Sequence, residues 1–516
     1  MNFFRKAVSV SSITLLSRIL GMLRDALIAF VFGASIASDA FFIAFRPFDV
    51  ARKMMSDGIL TLSFVPVFSG ILSKQGRSQA VSMFLSACFI VSMLSVVAAV
   101  LGIYLAPMVI KVLAPGYLQG SYAQSLSVLL LKIMMPYMGI IFMVALSMGV
   151  LNCLGNFWVP AATPIILNLC VIAATVFLSD YFSPPVSVLA AGVTLGGVIQ
   201  LGAQIPWLRR AGMLNLQRFR IYHWGVKRMM KTLLPSVVGA SAFQVNMLVA
   251  GLLASTLAPG GVSSLYYAER LVQFPLALFA ASVATVLLPM LSGRAAVQGM
   301  TGIGPGFGVG VKLVFFLIIP AMAGMMVLNR PIVSLLFARG AFDAAAVAQT
   351  GDCLFWLSAG LWAMAGTRLF VTFHFALSNI RLPFLAGLFS IVCNLILGTV
   401  LGRCMGVTGL SVAVAVSTIA GFVFLALRSP VEAGLKPVAV SACRAVFISG
   451  IMIGPVHWIW RVWSDWMMPV TIWAQGVGLC VAISAGVALF FTVAVMVAKE
   501  DVQLFKQVIF TTRYDH

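Results

Sequence analysis

The sequence has few charged residues, and acidic residues are the scarcest of them. Only 9% of its 516 residues are charged, against about 25% in soluble domains, which excludes an ordinary water-soluble globule. The 33 Lys and Arg residues outnumber the 13 Asp and Glu residues and give a net charge of +20. In a soluble chain this excess would indicate nucleic-acid binding. Here the basic residues are scattered between long apolar runs, so we expect no nucleic-acid partner and predict a polytopic membrane protein.

Motifs for catalysis and for metal binding are also missing. The eight cysteines form no C-x-x-C pair, and the four histidines are dispersed without the spacing of metal ligands. No G-x-x-x-x-G-K-[ST] motif is present, so the sequence encodes no recognisable ATP motor. Nothing resembles a nucleophile elbow or a catalytic triad. We therefore expect neither an enzyme nor a bound metal or cofactor.

Apolar windows long enough to cross a bilayer predict an all-α protein with fourteen transmembrane helices. The windows lie near 8–33, 37–70, 80–108, 126–152, 158–179, 186–208, 229–256, 268–292, 309–329, 352–377, 383–402, 406–427, 438–460 and 471–498. Because fourteen is even, both termini lie on one side, and Lys and Arg concentrate in the connections on that side. The positive-inside rule therefore predicts that both termini are cytoplasmic.

Two separate sequence matches recur at one offset, 223 residues. Segment 61–70 matches segment 284–293, and Asn156 and Pro160 match Asn379 and Pro383. An even number of spans separates the copies, so the two repeats have the same orientation in the membrane. Such parallel repeats are typical of transporters whose substrate site lies between the two halves. The last two predicted spans lie outside the repeat.

The repeat predicts four parts in the chain. They are an N-lobe of six spans at 1–208, a basic cytoplasmic linker at 209–228, a C-lobe of six spans at 229–427, and two additional spans with a cytoplasmic tail at 428–516. Two interpretations of the basic linker stay open. It either contacts anionic lipid headgroups or carries charge that only sets the topology.

Charged residues are unusually dense in the first sixty positions. The cluster comprises Arg18, Arg24, Asp25, Asp39, Arg46, Asp49, Arg52, Lys53 and Asp57. A charge at the centre of a membrane helix costs roughly 2.5–3.5 kcal/mol, so these side chains must face protein or water and partly pair. Asp49 and Lys53 are four residues apart, as are Lys53 and Asp57, and each pair can meet on one helix face. Alternatively, the charges from Arg46 to Asp57 lie near an interface at helix ends.

The second half contributes Glu269 and Arg270 at the start of the eighth predicted span. Their position approximates the repeat equivalent of Arg46, so we expect Arg270 to approach the same cavity from the other lobe. The alternative is an arginine that snorkels at a helix end. Arginine binds phosphate oxygens bidentately, and several arginines converge here. An anionic ligand with a phosphate or pyrophosphate group is therefore favoured over a carboxylate.

Several segments resemble the MurJ (MviN) family, the lipid II flippases of bacterial cell-wall synthesis. They are SRILGMLRDA at 17–26, FGA at 32–34, SDAFFIAF at 38–45, FVP at 64–66, APG at 114–116, PY at 136–137, YYAER at 266–270 and LLP at 287–289. The first is the most specific of these segments. The resemblance covers essentially the whole chain, including the number of predicted spans.

The resemblance implies the fold of the multidrug/oligosaccharidyl-lipid/polysaccharide exporters, with two pseudo-symmetric six-helix lobes in a V around a cavity. It implies an inner-membrane protein that moves lipid II to the outer leaflet by alternating access. The last two helices would form a groove for the polyprenyl tail. Membrane lipids and cell-wall synthesis proteins are the further partners implied. The cavity residues of the family match Arg18, Arg24, Asp39, Arg52 and Arg270, with Asp57 at its acidic position.

Two departures from the family bear on ion coupling. Gln273 stands where some members have an acidic residue. Some members also bind sodium with acidic residues whose equivalents here are Ala250 and Gly398, and only Asn394 of that site is retained. We therefore expect no sodium site, and the membrane potential or another ion gradient is the expected driving force.

Two other functions agree with the same sequence features. One is an exporter of a different lipid-linked oligosaccharide or of drugs, although a cavity for cationic drugs would need acidic rather than basic residues. The other is a membrane scaffold that recruits cell-wall enzymes without transporting anything. Substitution of Arg18 or Arg270 by Ala distinguishes these possibilities, because a scaffold tolerates the change and a flippase does not.

Overall fold

A computed structural model describes residues 2–54, 60–231, 242–298, 304–377, 379–430, 432–466 and 471–510. In these residues the regular structure is helical, as the composition predicts. Two compact units are distinguished, Met1–Ser263 with Arg339–Phe342, and Ser264–Ala338 with Asp343–His516. The predicted lobes, linker and C-terminal pair of spans stay a prediction.

Among the described residues of the first unit, the α-helices are α1 to α9. Their bounds are α1 Asn2–Phe32, α2 Ile36–Met54, α3 Leu60–Tyr104, α4 Ala106–Leu113, α5 Tyr122–Cys153, α6 Trp158–Leu178, α7 Ser187–Arg210, α8 at 224–231 and α9 Ala242–Ala254. Its core is formed by aromatic and aliphatic side chains of α3 and α5 with residues of the connection after α7. Phe64 and Phe68 stack one turn apart in this core, with ring centroids 5.3 Å apart.

The second unit holds the remaining helices, apart from the first residues of α10. Their bounds are α10 Gly261–Pro275, α11 Ala281–Gln298, α12 Gly304–Val327, α13 Asn329–Phe337, α14 Ala344–Ala359, α15 Leu361–Ala376, α16 Arg381–Arg428, α17 Glu432–Trp466, α18 Ile472–Val497 and α19 Lys499–Phe510. A core cluster in this unit joins α12, α17, α18 and α19 around Phe316 and Phe490, whose ring centroids are 5.1 Å apart.

Nine helices of the described residues are long and apolar enough to cross a membrane, or ten if the bent pair α14 and α15 forms one span. Large apolar side chains on these helices remain exposed, for example Val96 on α3 and Phe177 on α6. Exposed apolar surface of this extent suits contact with lipid rather than water. The chain is therefore an all-helical polytopic membrane protein. The predicted number of fourteen spans stays a prediction.

Two very long helices are interrupted by glycines with left-handed backbone conformations. Gly76 in α3 has φ 82° and ψ 173°, and Gly406 in α16 has φ 61° and ψ −142°. A side chain at positive φ would be strained, which is why glycine occupies such breaks. Each helix therefore consists of two segments, and the second segment of α3 restarts directly after Gly76.

Candidate functional site

Arg24 in α1 is the most buried arginine of the predicted site. Its side chain donates hydrogen bonds to Oδ1 of Asp25 from Nε at 3.0 Å and from Nη2 at 2.6 Å. Arg24 is 5% exposed and Asp25 is 0% exposed. A buried ion pair compensates part of the cost of removing both charges from water. The two adjacent residues thus form one ion pair inside the helical unit.

Asn168 in α6 provides the third contact of this pair. Nη1 of Arg24 donates to Oδ1 of Asn168 at 3.2 Å, and Nδ2 of Asn168 donates to the carbonyl oxygen of Ser17 at 3.1 Å. One amide side chain therefore links the guanidinium to the backbone of α1. This arrangement fixes the orientation of Arg24 relative to α6.

A second group of charges lies at the end of α2. Asp49 Oδ1 accepts a hydrogen bond from Nη2 of Arg52 at 2.6 Å, and Asp49 Oδ2 lies 3.0 Å from Nζ of Lys53. The carboxylate is 3% exposed, whereas the two basic side chains are half-buried. The predicted contact between Asp49 and Lys53 is thus present, and the group carries a net positive charge. Asp57, its predicted second partner, lies outside the described residues.

Next to this group, Tyr137 of α5 packs its ring edge-on against Phe48, with centroids 6.2 Å apart. The hydroxyl of Tyr137 and Nε of Arg52 are buried, and neither has a hydrogen-bond partner among the described residues. Buried donors without partners are unfavourable. These two donors, beside the carboxylate of Asp49, can bind an anionic group.

Asp39 has a different environment from the one predicted. Its carboxylate accepts the backbone N–H of Gly260 at 2.7 Å and that of Ser263 at 2.7 Å, and it also accepts the hydroxyl of Ser263. Ser38 reinforces the contact, with its Oγ 2.9 Å from Oγ of Ser263. Asp39 therefore binds the first turn of α10, where a negative charge complements the helix dipole. The geometry indicates a structural role for this residue.

The remaining predicted residues fall into both units. Arg18 and Arg46 are half-buried on α1 and α2 of the first unit. In the second unit, Glu269 of α10 is buried and accepts a hydrogen bond from Nε2 of Gln273 at 2.7 Å, while Arg270 is half-buried. Gln273, the departure noted in the sequence, therefore binds the neighbouring carboxylate. The shared cavity of Arg270 with the first-half arginines stays a prediction.

Residues at the expected position of the family's sodium site are buried. Asn394 and Gly398 lie one turn apart on α16, and Ala250 lies on α9. Within the described part of the chain, no group of three or more His, Cys, Asp or Glu residues could hold a metal ion. The expectation that this chain has no sodium site stays a prediction.

Asn168 and Tyr137 belong to the site although neither was predicted there from the sequence. Asn168 is the only amide side chain in the apolar helix α6. An isolated amide in such a helix usually hydrogen-bonds a partner inside the bundle, which was the available signal. Tyr137 belongs to one of the segments that resemble the family, but a tyrosine in an apolar helix also fits a membrane interface, so its type alone did not indicate a site residue.

The described residues contain nine or ten apolar spans, and two further helices, α1 and α2, carry ion pairs with buried carboxylates. These features define an α-helical polytopic membrane protein. Its fold matches a solved structure titled "Lipid II flippase MurJ, inward closed conformation", with a TM-score of 0.79 and 24% sequence identity, covering 96% of this chain and 100% of that one. Residues 28–477 match the family described as "Lipid II flippase MurJ". The chain belongs to the MurJ family.

Relatives of similar length support this assignment. The chain is 32% identical over 432 residues to "Probable lipid II flippase MurJ" of Buchnera aphidicola subsp. Acyrthosiphon pisum, covering 83% of this chain and 84% of the relative. It is 31% identical over 474 residues to the protein of the same name from Vibrio cholerae serotype O1, covering 90% of each. The resemblance inferred from the sequence is confirmed, and so is the expectation of a transporter rather than an enzyme.

Proposed function

We propose that this chain moves lipid II, the lipid-linked peptidoglycan precursor, from the cytoplasmic to the outer leaflet by alternating access. The observation that carries the proposal is the family match over residues 28–477. The charge distribution supports it, since α1 and α2 hold five basic and three acidic residues between positions 18 and 53. An excess of positive charge on these two helices suits an anionic headgroup, and it disfavours an exporter of cationic drugs.

In the proposed mechanism, Arg18, Arg24 and Arg52 of the first half and Arg270 of the second half bind the pyrophosphate. The guanidinium group forms paired hydrogen bonds with phosphate oxygens. Support comes from Arg52, whose Nε is a buried donor without a partner among the described residues, while Asp49 holds its Nη2. The hydroxyl of Tyr137 adds a second such donor. These groups can bind phosphate without first breaking an internal hydrogen bond.

We propose that the chain crosses the membrane fourteen times, as the sequence predicts. At 1.5 Å per residue, the 48 residues of α16 measure about 72 Å, more than twice a hydrocarbon core of about 30 Å, so its two segments count as two spans. The 31 residues of α1 are also long enough for one crossing. The helix α2 with the first segment of α3, and the region 229–256 that includes α9, supply the other two.

The arrangement of the helices in the membrane is proposed from the family resemblance. Two six-helix lobes enclose the headgroup cavity, and α17 and α18 form the groove for the polyprenyl tail. The protein lies in the bacterial inner membrane with both termini in the cytoplasm, and membrane lipids and cell-wall synthesis proteins are its further partners. The placement of the termini is supported by the basic residues of the predicted cytoplasmic connections.

We also propose that transport needs no cofactor and no sodium, and that the membrane potential or another ion gradient drives it. The support is the replacement of the acidic sodium ligands of some family members by Ala250 and Gly398. Exchanging sodium for potassium at constant membrane potential is expected to leave the transport rate unchanged. A rate that falls with sodium removal would contradict this part of the proposal.

The direct test is reconstitution of the purified chain into vesicles that contain fluorescent lipid II. An impermeant quencher measures how much lipid II each leaflet holds. We expect the wild-type chain to equilibrate or transport lipid II, and Arg52→Gln to slow this movement. A matched control is Arg330→Gln, an exposed arginine paired with Asp352 outside the proposed cavity. Wild-type vesicles in which lipid II stays in its original leaflet would contradict the function and favour the scaffold.

A further inference from the structure

A polar cavity of about 190 Å³ lies in the first unit, between α3 and the connection that follows α7. The helix contributes the polar side chains of Ser78, Gln79 and Ser82. The connection contributes two arginines, Arg218 and Arg220, together with Gln217 and Phe219. None of the described residues that line the cavity is acidic. The lining therefore combines hydrogen-bond donors with positive charge.

The connection is held against α3 by specific contacts on both sides of the cavity. Ser86 donates a hydrogen bond from its hydroxyl to the carbonyl oxygen of Arg220. The ring of Phe219 packs edge-on against Phe89, with centroids 5.4 Å apart. Arg77 donates from Nη2 to the carbonyl oxygen of Ala211. The cavity is thus a fixed feature of the packed structure, in which the side chains of Arg218 and Arg220 stay exposed.

Ser82 is the lining residue that most directly indicates a ligand. It is 4% exposed, and its Oγ has no hydrogen-bond partner among the described residues. Ser82 and Ser86 are four residues apart and lie on the same face of α3. The hydroxyl of Ser86 has an acceptor in the connection, whereas the described part of the chain supplies none for the hydroxyl of Ser82. A buried hydroxyl without a partner is unfavourable unless a ligand or ordered water supplies one.

The backbone of α3 adds to the positive potential of the cavity. Because Gly76 interrupts the helix, Ser78 lies in the first turn of the segment that restarts there. The first turn of a helix has N–H groups without intrahelical acceptors and carries a partial positive charge. Helix N-termini of this kind bind phosphate groups. Arg218 and Arg220 supply the planar donors that bind phosphate oxygens in pairs.

We propose that this cavity binds a phosphate group, supplied either by an anionic phospholipid headgroup or by a soluble phosphate. The cavity lies where the second segment of α3 begins after Gly76, ahead of the apolar run that ends at Tyr104, and a lipid headgroup can reach such a helix start. The site shares no residue with the charged groups of α1 and α2. It therefore does not depend on the proposed transport of lipid II.

The test uses the full chain in detergent with three variants, Ser82→Ala, the double variant Arg218→Gln/Arg220→Gln, and the control Arg209→Gln. Arg209 is an exposed arginine of the same basic region that does not line the cavity. Native mass spectrometry measures retention of phosphatidylglycerol against phosphatidylcholine. In a separate arm, inorganic phosphate is titrated without lipid, and hydrogen exchange of residues 214–222 reports binding.

We expect the wild type and Arg209→Gln to retain phosphatidylglycerol, and the other two variants to bind it about tenfold more weakly, as for the loss of one charge-assisted hydrogen bond. If inorganic phosphate protects the segment with the same dependence on the variants, the site is supported with soluble phosphate as its source. Equal lipid retention by all variants, with no protection by phosphate, would overturn the proposal. If the double variant unfolds at a lower temperature, Ser82→Ala decides, because it removes only a hydroxyl that no described residue hydrogen-bonds.

Discussion

Asp39, in the first turn of α2, accepts a hydrogen bond at 2.7 Å from the backbone N–H of Ser263, in the first turn of α10. The two residues are far apart in sequence, and the contact satisfies N–H groups that a helix leaves open at its start. The carboxylate also accepts the N–H of Gly260. Asp39 thus caps the helix on which Glu269 and Arg270 lie. Its contribution to function is therefore expected to pass through the stability of that helix start.

Substitution of Asp39 by Ala is expected to lower the free energy of unfolding by about 2 kcal/mol, the upper range for loss of a helix cap. Asn is expected to restore only part of this, since its Oδ1 accepts one N–H while its NH₂ group faces another donor. Thermal unfolding in detergent measures the difference, with Asp180→Asn at an exposed position as the control. An unchanged unfolding midpoint for Asp39→Ala would contradict the capping role.

Variants of the Arg24–Asp25 pair distinguish an effect on folding from an effect on transport. Arg24→Gln alone leaves the fully buried carboxylate of Asp25 without this ion-pair partner, at a cost of about 3–5 kcal/mol. The double variant Arg24→Gln/Asp25→Asn removes both charges and is expected to recover most of the lost stability. If Arg24 binds the headgroup, the double variant stays inactive in the vesicle assay. Recovery of transport together with stability would assign Arg24 a structural role only.

Neutralising Asp49 and neutralising Asp352 are expected to lower the free energy of unfolding by very different amounts. Asp49→Asn leaves two half-buried basic side chains beside a buried amide, and we expect a loss of about 3–5 kcal/mol. Asp352→Asn breaks a pair whose side chains are 60% and 41% exposed, which is expected to cost about 0–1 kcal/mol. Chemical unfolding of both variants in the same detergent measures the contrast. Similar losses in the free energy of unfolding would show that burial does not strengthen the ion pairs of Asp49.

We predict that the stability of the connection after α7 depends on pH through His223. Burial lowers the pKa of its imidazole, and the nearby positive charge of Arg220 lowers that pKa further. Its Nδ1 also accepts the N–H of Gly225 at 3.1 Å, which requires the unprotonated ring nitrogen. The folded state therefore binds fewer protons than the unfolded state. The stabilisation that unprotonated His223 gives is fully present above the pKa of histidine in the unfolded chain, about 6.5. It declines as the pH falls below that value.

Hydrogen exchange of residues 216–226 at pH 7.5 and pH 5.5, corrected for intrinsic exchange rates, measures this response. We expect lower protection at pH 5.5 in the wild type. His223→Phe keeps a flat ring beside Trp224, with which His223 stacks, and is expected to remove the difference. An equal pH response in wild type and variant would exclude His223 as the titrating group.

Local signals determined the class of the protein and many of its helices. Apolar runs of bilayer length cannot remain in water, so their number and spacing predicted a polytopic helical protein before any contact was known. The spacing of Asp49 and Lys53 likewise predicted their contact, because residues four apart share a helix face. The segment around Arg18 and Arg24 indicated the family because it is a contiguous motif.

Tertiary structure decided what each buried charge does. Asp39 and Arg24 are both charged residues in apolar surroundings, yet Asp39 caps α10 and Arg24 binds Asp25 and Asn168. Apart from Asp25, which is the next residue, these partners come from distant parts of the chain, and neither helical periodicity nor charge content specifies them. The cavity at Ser82 also forms only when the connection after α7 packs on α3. The sequence by itself determined which segments must leave water, because hydrophobicity is a local property. Only the packed helices determined the partners of the polar groups, because a hydrogen bond depends on positions that distant segments supply.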